Sequence, residues 1–420
     1  MSSAPIGTFS RSPNSDIPPL TIPTFLDIKK RDKNINTITL DKQLGKGAFG
    51  TVYLCKDENG EELAVKCIKT KDFGIPSLIE AGIMSVIQHP NISKALKIHS
   101  TPDKLYIVQE LGVSDLRVYR LNNSVSEKTL IKWTHSIAQA ISCLHKYDII
   151  HGDIKASNIL VFPDQKIKVT DFTLSTHIKW KNNYRPCTST HRPLEVWLNN
   201  KWNKSVDIWA FGCTLYEMIY GKSLFINQDK DASINALIDW YNYLPNTYKK
   251  RDINLKHRDT FHYTFVLADN FNQTSQLNKI LISMLTIFDR PSIQDVLNNE
   301  MFEKYHVSPS MLINTPVTVL SLKSEIKIKK NLSGLLNDPD TIELAYNLYS
   351  RLGGMLNSND RIKMATCAWI AHKMVFRENM PINVFPCELY EILQMERNIC
   401  NYLSYRLIII NNSTHVVINK

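Results

Sequence analysis

His151-Gly152-Asp153-Ile154-Lys155-Ala156-Ser157-Asn158-Ile159-Leu160, with Thr170-Asp171-Phe172 following, is the stretch on which the reading of this chain turns. Two carboxylates, a lysine and an amide stand on polar segments among short strand-like pieces around 158–172. Caps and turns account for any one of these residues, but not for all of them in this order. Upstream, Leu44-Gly45-Lys46-Gly47-Ala48-Phe49-Gly50-Thr51-Val52 has the form G-x-G-x-x-G-x-V between two expected strands. Glycine lets a backbone approach phosphate oxygens without a Cβ in the way, and Leu44 and Val52 can cover an adenine ring. A glycine-bearing hairpin is the plainer reading of the same residues. Sixteen residues past Gly50, Lys66 in Ala64-Val65-Lys66 can hold α- and β-phosphates if an acid holds the lysine. Glu80 is its natural partner, on a helical stretch marked by Ile79, Ile83, Val86 and Ile87. The alternative is a surface ion pair of little worth.

The rest of the chain sets limits on this reading. Its 420 residues suit two or three domains of roughly 150. Charged residues at 21% and hydrophobic ones at 43% exclude collagen-like, coiled-coil and wholly disordered chains. The net charge of +10 is spread along the sequence, which disfavours nucleic-acid binding as the main role. Eight cysteines without a C-x-x-C pair read as free thiols of a reducing compartment. No segment reaches the ~18 uninterrupted apolar residues of a membrane span, so a soluble intracellular protein is expected.

Composition divides the chain. Residues 1–36 are polar and Pro-rich and read as a flexible arm. From 37 to 111 short β-type runs prevail, among them Ile38-Thr39-Leu40, Thr51-Val52-Tyr53-Leu54 and Leu63-Ala64-Val65. From 112 to 306 helices dominate, at 128–147, 204–220 and 277–287. From 307 to 420 a basic Ile/Lys stretch precedes helical patterns at about 341–356, 360–376 and 387–405.

Taken together, the motifs resemble the catalytic core of a eukaryotic-type protein kinase over roughly residues 38–306. The resemblance implies an α+β, two-lobed fold, with a β-rich N-lobe (37–111) and an α-helical C-lobe (112–306) followed by an all-α region. It implies ATP and Mg²⁺, a protein substrate, and transfer of the γ-phosphate to Ser/Thr hydroxyls. Asp153 matches the base that accepts the substrate proton, Lys155 the lysine that steadies the γ-phosphate, and Asn158 and Asp171 the metal ligands. ATP contacts are implied for Leu44 through Val52 (Gly45, Lys46, Gly47, Ala48, Phe49, Gly50 and Thr51 between them), and for Ala64, Lys66, Glu80, Asp115 and Leu160. They are also implied for Glu110 and Leu111 of a hinge in which Gln109 is the gatekeeper. Asp207, in Ser205-Val206-Asp207-Ile208-Trp209, matches an aspartate that braces the catalytic loop, and Glu195 and Arg290 a structural ion pair. Lys155, with Thr188 seven residues before Glu195, is similar to the serine/threonine-specific branch.

Three positions depart from the family pattern. Gly152 replaces the arginine of His-Arg-Asp, Thr173 the glycine of Asp-Phe-Gly, and Pro193 stands one place early in the Ala-Pro-Glu motif. The missing arginine is the one that clasps a phosphorylated threonine, and Asn183 occupies that threonine's place. Activation-segment phosphorylation is therefore not the expected switch. Thr173 restricts a hinge that glycine would free, which keeps a catalytically silent scaffold as the alternative.

Gly74-Ile75-Pro76-Ser77-Leu78-Ile79-Glu80 resembles a shortened form of the helix by which cyclin-dependent kinases meet cyclin. In the tail, residues 361–373 are similar to the central helix of a cyclin box, with Ala365, Ala368 and Ala371 giving a thin face. Lys373 and Glu396 match a charged pair of cyclins. This implies a single cyclin box acting on the helix that bears Glu80; the alternative is a generic helical extension whose charges are solvated. Residues 317–336, where a first box helix belongs, lack the usual arginine and tryptophan. A third reading assigns nucleic-acid binding to the cluster Lys323 to Lys330.

Overall fold

Alternating apolar residues in the first part of the chain pair into one six-stranded antiparallel sheet. The computed structural model of the chain describes residues 21–23, 37–47, 50–57, 59–69, 75–100, 104–178, 184–226, 229–249, 265–305, 312–313, 329–352, 360–376 and 389–403. The strands are β1 (Thr21–Pro23), β2 (Thr37–Gly47), β3 (Gly50–Lys56) and β4 (Glu62–Lys69). Helix α1 (Ile75–Val86) and the short β5 (Ile87–Gln88) come next, then β6 (Ala95–Ser100) and β7 (Lys104–Glu110). The order across the sheet is β1-β2-β3-β4-β7-β6. Asp57 shapes the β3–β4 turn by accepting from the N–H groups of Asn59 (2.9 Å) and Glu61 (2.8 Å). Two expectations change here. Thr21–Pro23, within the expected flexible arm, pairs with Thr37–Thr39 as an edge strand. Ile87, read as helical, begins β5, because a helix running on to Pro90 would set its ring against the Val86 carbonyl.

The second layer is helical. It comprises β8 (Ser114–Asp115), α2 (Leu116–Asn122), α3 (Glu127–Lys146), β9 (Ile149–Ile150), β10 (Ile159–Val161), β11 (Ile167–Val169) and β12 (Thr176–His177). It continues with α4 (Leu194–Trp197), α5 (Ser205–Tyr220), α6 (Lys230–Tyr243), α7 (Gln276–Met284) and α8 (Ile293–Leu297). Ser126 caps α3 through Thr129 N–H, and Trp133, Ile137, Ile141 and Leu144 supply its buried stripe. Helix α5 is buried on nearly every side and forms the centre of this lobe. β9 pairs with β12 and β10 with β11, so the loops 151–158 and 170–175 leave neighbouring strands side by side. The two-lobed architecture implied by the motifs is the one the chain adopts.

Residues after 306 return to the sheet lobe. β13 (Leu312–Ile313) pairs with β5, so this region is not purely helical as expected. Among its described residues are the helices Pro339–Ser350, Asp360–Phe376 and Leu389–Tyr402, with a shorter helical turn at 329–333. Of these, Asp360–Phe376 packs on α1 and Leu389–Tyr402 on β6. Eight consecutive residues of α1, Ser77 through Met84, are buried in consequence, leaving that stretch of helix no solvent face. Ala365, Ala368 and Ala371 are all fully buried, as a helix with neighbours on each side requires.

Candidate active site

Four elements converge between the lobes. β4 carries Lys66, whose Nζ donates to both carboxylate oxygens of Glu80 on α1, at 2.7 and 2.8 Å. It also donates to Asp171 Oδ1 at 3.2 Å. Burial opposes the ammonium, but the carboxylates of Glu80 and Asp171 more than offset it, and the lysine pKa rises above its ordinary value. Burial pushes the Glu80 carboxyl up to about 7 against the pull of Lys66. A lysine and an acid distant in sequence thus meet in the interior, which a solvated surface pair does not do.

The loop 151–158 places the second carboxylate. Asp153 Oδ1 accepts from Thr188 N (2.9 Å) and Thr188 Oγ1 (2.8 Å), while Oδ2 lies 3.0 Å from Asn158 Nδ2 and 2.7 Å from Lys155 Nζ. Lys155 also donates to Thr188 Oγ1 at 2.8 Å. Burial works against the Asp153 anion, yet Lys155 and these donors hold its pKa below the usual carboxylate value. Asn158 spends its N–H₂ group on Asp153. Its amide oxygen and the Asp171 carboxylate form an oxygen donor set of the kind Mg²⁺ takes together with substrate phosphates.

Asp207 braces this loop from beneath, as its position in the sequence implied. Its carboxylate accepts from the N–H groups of His151 (2.9 Å) and Gly152 (2.9 Å), with His145 Nε2 at 2.8 Å. Lower down, Arg290 grips Glu195 with two bonds, at 2.6 and 2.9 Å, and lies over the Trp209 ring.

The other residues expected to contact nucleotide lie on or next to β2, β3, β4, β7, β8 and β10. Gly45, Lys46 and Gly47 lie on β2, and Gly50, Thr51 and Val52 on β3; Ala48 and Phe49 lie outside the described residues. Gly45 has open space where a Cβ would stand, and at Gly47 a Cβ would make ordinary contact with the Gly50 carbonyl at 3.9 Å. Gly50 has no such room: at φ +153° its Cβ would sit 2.8 Å from the Cys67 carbonyl. Leu44, on β2, is 46% exposed. Ala64 is buried in β4, opposite Gln109. Glu110 pairs with Lys168, and Leu111 follows it at the end of β7. Asp115 caps α2 through Val118 N–H (2.9 Å), and Leu160 of β10 is its partner in the ladder with β8.

The departures acquire physical content. Gly152 has φ +76°, and a Cβ there would lie 2.5 Å from the Leu174 carbonyl. That carbonyl accepts the Tyr184 hydroxyl, and Tyr184 packs edge-on against Trp202. The side of the activation segment nearest the loop is therefore tied by a neutral phenol. Asn183 lies outside the described residues. Gly152→Arg, which restores the family residue, is expected to lower turnover about five- to hundredfold, given the roughly 1–3 kcal/mol typical of forced backbone strain. A steady-state assay of the variant checks this, and wild-type turnover would contradict it. The sequence marks Thr188 only as similar to the serine/threonine-specific branch and gives Tyr184 no part in the site. Their bonds to Asp153 and Leu174 span long loops and carry no spacing signal.

Residues 38–302 match the family model described as protein kinase domain. The chain belongs to the protein kinase family. Among relatives of this kinase, the Aurora/IPL1-related protein kinase 2 of Caenorhabditis elegans is 31% identical over 212 residues, 48% of this chain and 70% of that protein. The cell division control protein 2 homolog 3 of Trypanosoma brucei brucei is 31% identical over 212 residues, covering 48% and 67%. The cyclin-dependent kinase 4 homolog of Caenorhabditis elegans is 32% identical over 216 residues, covering 47% and 53%. The chain is a protein serine/threonine kinase. No helix among its described residues is long and apolar enough to cross a membrane.

Proposed function

We propose that this kinase transfers the γ-phosphate of Mg-ATP to protein Ser/Thr hydroxyls without activation-segment phosphorylation, and that its own C-terminal helices hold it in the active arrangement. The observation that carries this reading is the Lys66–Glu80 pair, which ties β4 to a buried carboxylate on a helix packed against the tail. In this reading Asp153 takes the hydroxyl proton of the substrate, and Lys155 neutralises charge on the transferring group. Asn158 and Asp171 would hold Mg²⁺, which supplies neutralisation of phosphate charge when bound. Lys66 fixes the α- and β-phosphates, and Leu44, Val52, Ala64 and Leu160 close on the adenine.

A docked helical domain stabilises the inward state of α1 by preferring it energetically. Resemblance of the tail to a cyclin box, with the Lys373–Glu396 pair at 2.8 Å, supports the same reading. Both residues of that pair are buried, at 5% and 3% exposure, which does not suit the alternative of a merely solvated extension.

The activation segment bears on substrate choice. Cys187 has φ +67°, and its carbonyl is held by Arg192 Nε (3.1 Å) and Nη2 (2.7 Å). A substrate with its hydroxyl at Asp153 passes next to Cys187, because Thr188 touches both positions. A backbone N–H there finds its acceptor already engaged, and proline has no N–H to leave unsatisfied.

The test is Mg-ATP phosphorylation by the full-length chain of a basic protein and of paired peptides, Ser-Pro and Ser-Ala. Turnover on the protein with a preference of about tenfold for Ser-Pro is expected, since one unmade hydrogen bond costs roughly 1–3 kcal/mol. No turnover with nucleotide binding intact would favour the silent scaffold, and equal peptide rates would remove the proline preference alone.

A further inference from the structure

Thr173 stands where the family pattern has glycine, and its side chain does more than restrict the backbone. It is buried, at 2% exposure, and its Oγ1 donates to Asp171 Oδ1 at 2.8 Å. Lys66 Nζ reaches the same oxygen at 3.2 Å. Two donors on one carboxylate oxygen fix the plane of the group and leave Oδ2 without a hydrogen bond among the described residues. The backbone beneath also requires support, because Asp171 has φ +64°, in the left-handed region. The Asp171 side chain is 33% exposed, so a carboxylate without these donors would sample several orientations in water. Threonine suits this position because its β-branch restricts χ1, so the hydroxyl is aimed at little further entropic cost.

We propose that Thr173 is a positioning residue that sets the Asp171 carboxylate, holding Oδ1 so that Oδ2 faces the cation brought in with the nucleotide. This rests on the reading of Asp171 as a metal ligand. Where the family has a glycine, and so no side chain at this position, this chain holds its acid with a hydroxyl before nucleotide arrives.

Calorimetric titration of the full-length chain with ADP, in Mg²⁺ and in EDTA, tests the proposal through Thr173→Val, Thr173→Ser and Thr173→Gly. Wild type is expected to bind ADP more tightly in Mg²⁺ than in EDTA. Thr173→Ser should keep that gain, while Thr173→Val and Thr173→Gly should each lose about five- to tenfold of it, as for one lost hydrogen bond of ordinary net strength. Affinities in EDTA should stay equal across the set, which separates positioning from damage to the fold. A full Mg²⁺-dependent gain in Thr173→Val, or a gain in Thr173→Gly above wild type, overturns the proposal. Absence of any gain in wild type overturns it together with the metal-ligand reading. In that last case all four proteins behave alike, whereas failure of the proposal alone leaves the wild-type gain in place.

Discussion

Asp153→Asn reduces phosphoryl transfer by about 10³-fold and leaves ADP affinity within about twofold of wild type, in keeping with the 10²–10⁴ typical of a general base. The reason lies in what surrounds the side chain. Thr188 N, Thr188 Oγ1, Asn158 Nδ2 and Lys155 Nζ are all donors turned towards Asp153, so this pocket is built for an acceptor on both oxygens. An asparagine has the same shape, but whichever way its amide turns, the N–H₂ group meets another donor. It also cannot take a proton from a substrate hydroxyl. The loss therefore has two parts, a missing base and a disturbed loop, the second costing roughly 1–3 kcal/mol of local stability. Single-turnover kinetics separate chemistry from binding. A variant retaining more than a tenth of wild-type transfer would show that Asp153 is not the base.

Removal of the chain after Tyr305 has the second-largest expected effect, a fall in kcat of about thirtyfold, or about 2 kcal/mol of coupling between sites. Helix α1 owes its burial to two partners, the sheet on one side and the tail on the other. Without the tail, apolar side chains of α1 face water, at roughly 1.5–3 kcal/mol for each fully exposed large one. The helix then gains from turning that face elsewhere, which separates Glu80 from Lys66. The Lys66–Glu80 pair has little surplus to resist, because burial already works against the Glu80 anion. The check is kcat and thermal stability of the shortened chain, then the same with the segment 307–420 added back in trans. Full activity in the shortened chain would sink the idea. Recovery on adding the segment would show that docking, rather than covalent attachment, sets α1.

Local chemistry makes much of this protein legible in its sequence. The Gly-rich loop, Lys66 and the run from His151 to Phe172 carry their meaning in residue type and spacing, because phosphate handling demands glycine, lysine and carboxylate at fixed intervals along the chain. Strand and helix limits follow from period and from breakers, and Pro90 explains why α1 stops at Val86 where apolar spacing alone ran on to Ile87. Thr173 was harder, for the residue type announces a stiffer backbone while the hydroxyl has the larger consequence. Nothing in the spacing of Thr173 and Asp171 states that the oxygen points back two residues.

Family, lobe order and the groups that meet around Lys66 and Asp153 are legible in the amino-acid sequence, since each follows from short-range pattern. Whereas a tail acting on α1 was already implied by resemblance, that Tyr184 ties Leu174 beside Gly152, and that Cys187 turns its carbonyl to Arg192, emerges only in the folded chain. Each of these depends on contacts between segments far apart in the chain, or on the sign of one backbone angle. Such contacts are selected by the free energy of the whole packed arrangement, to which no single stretch of residues gives access.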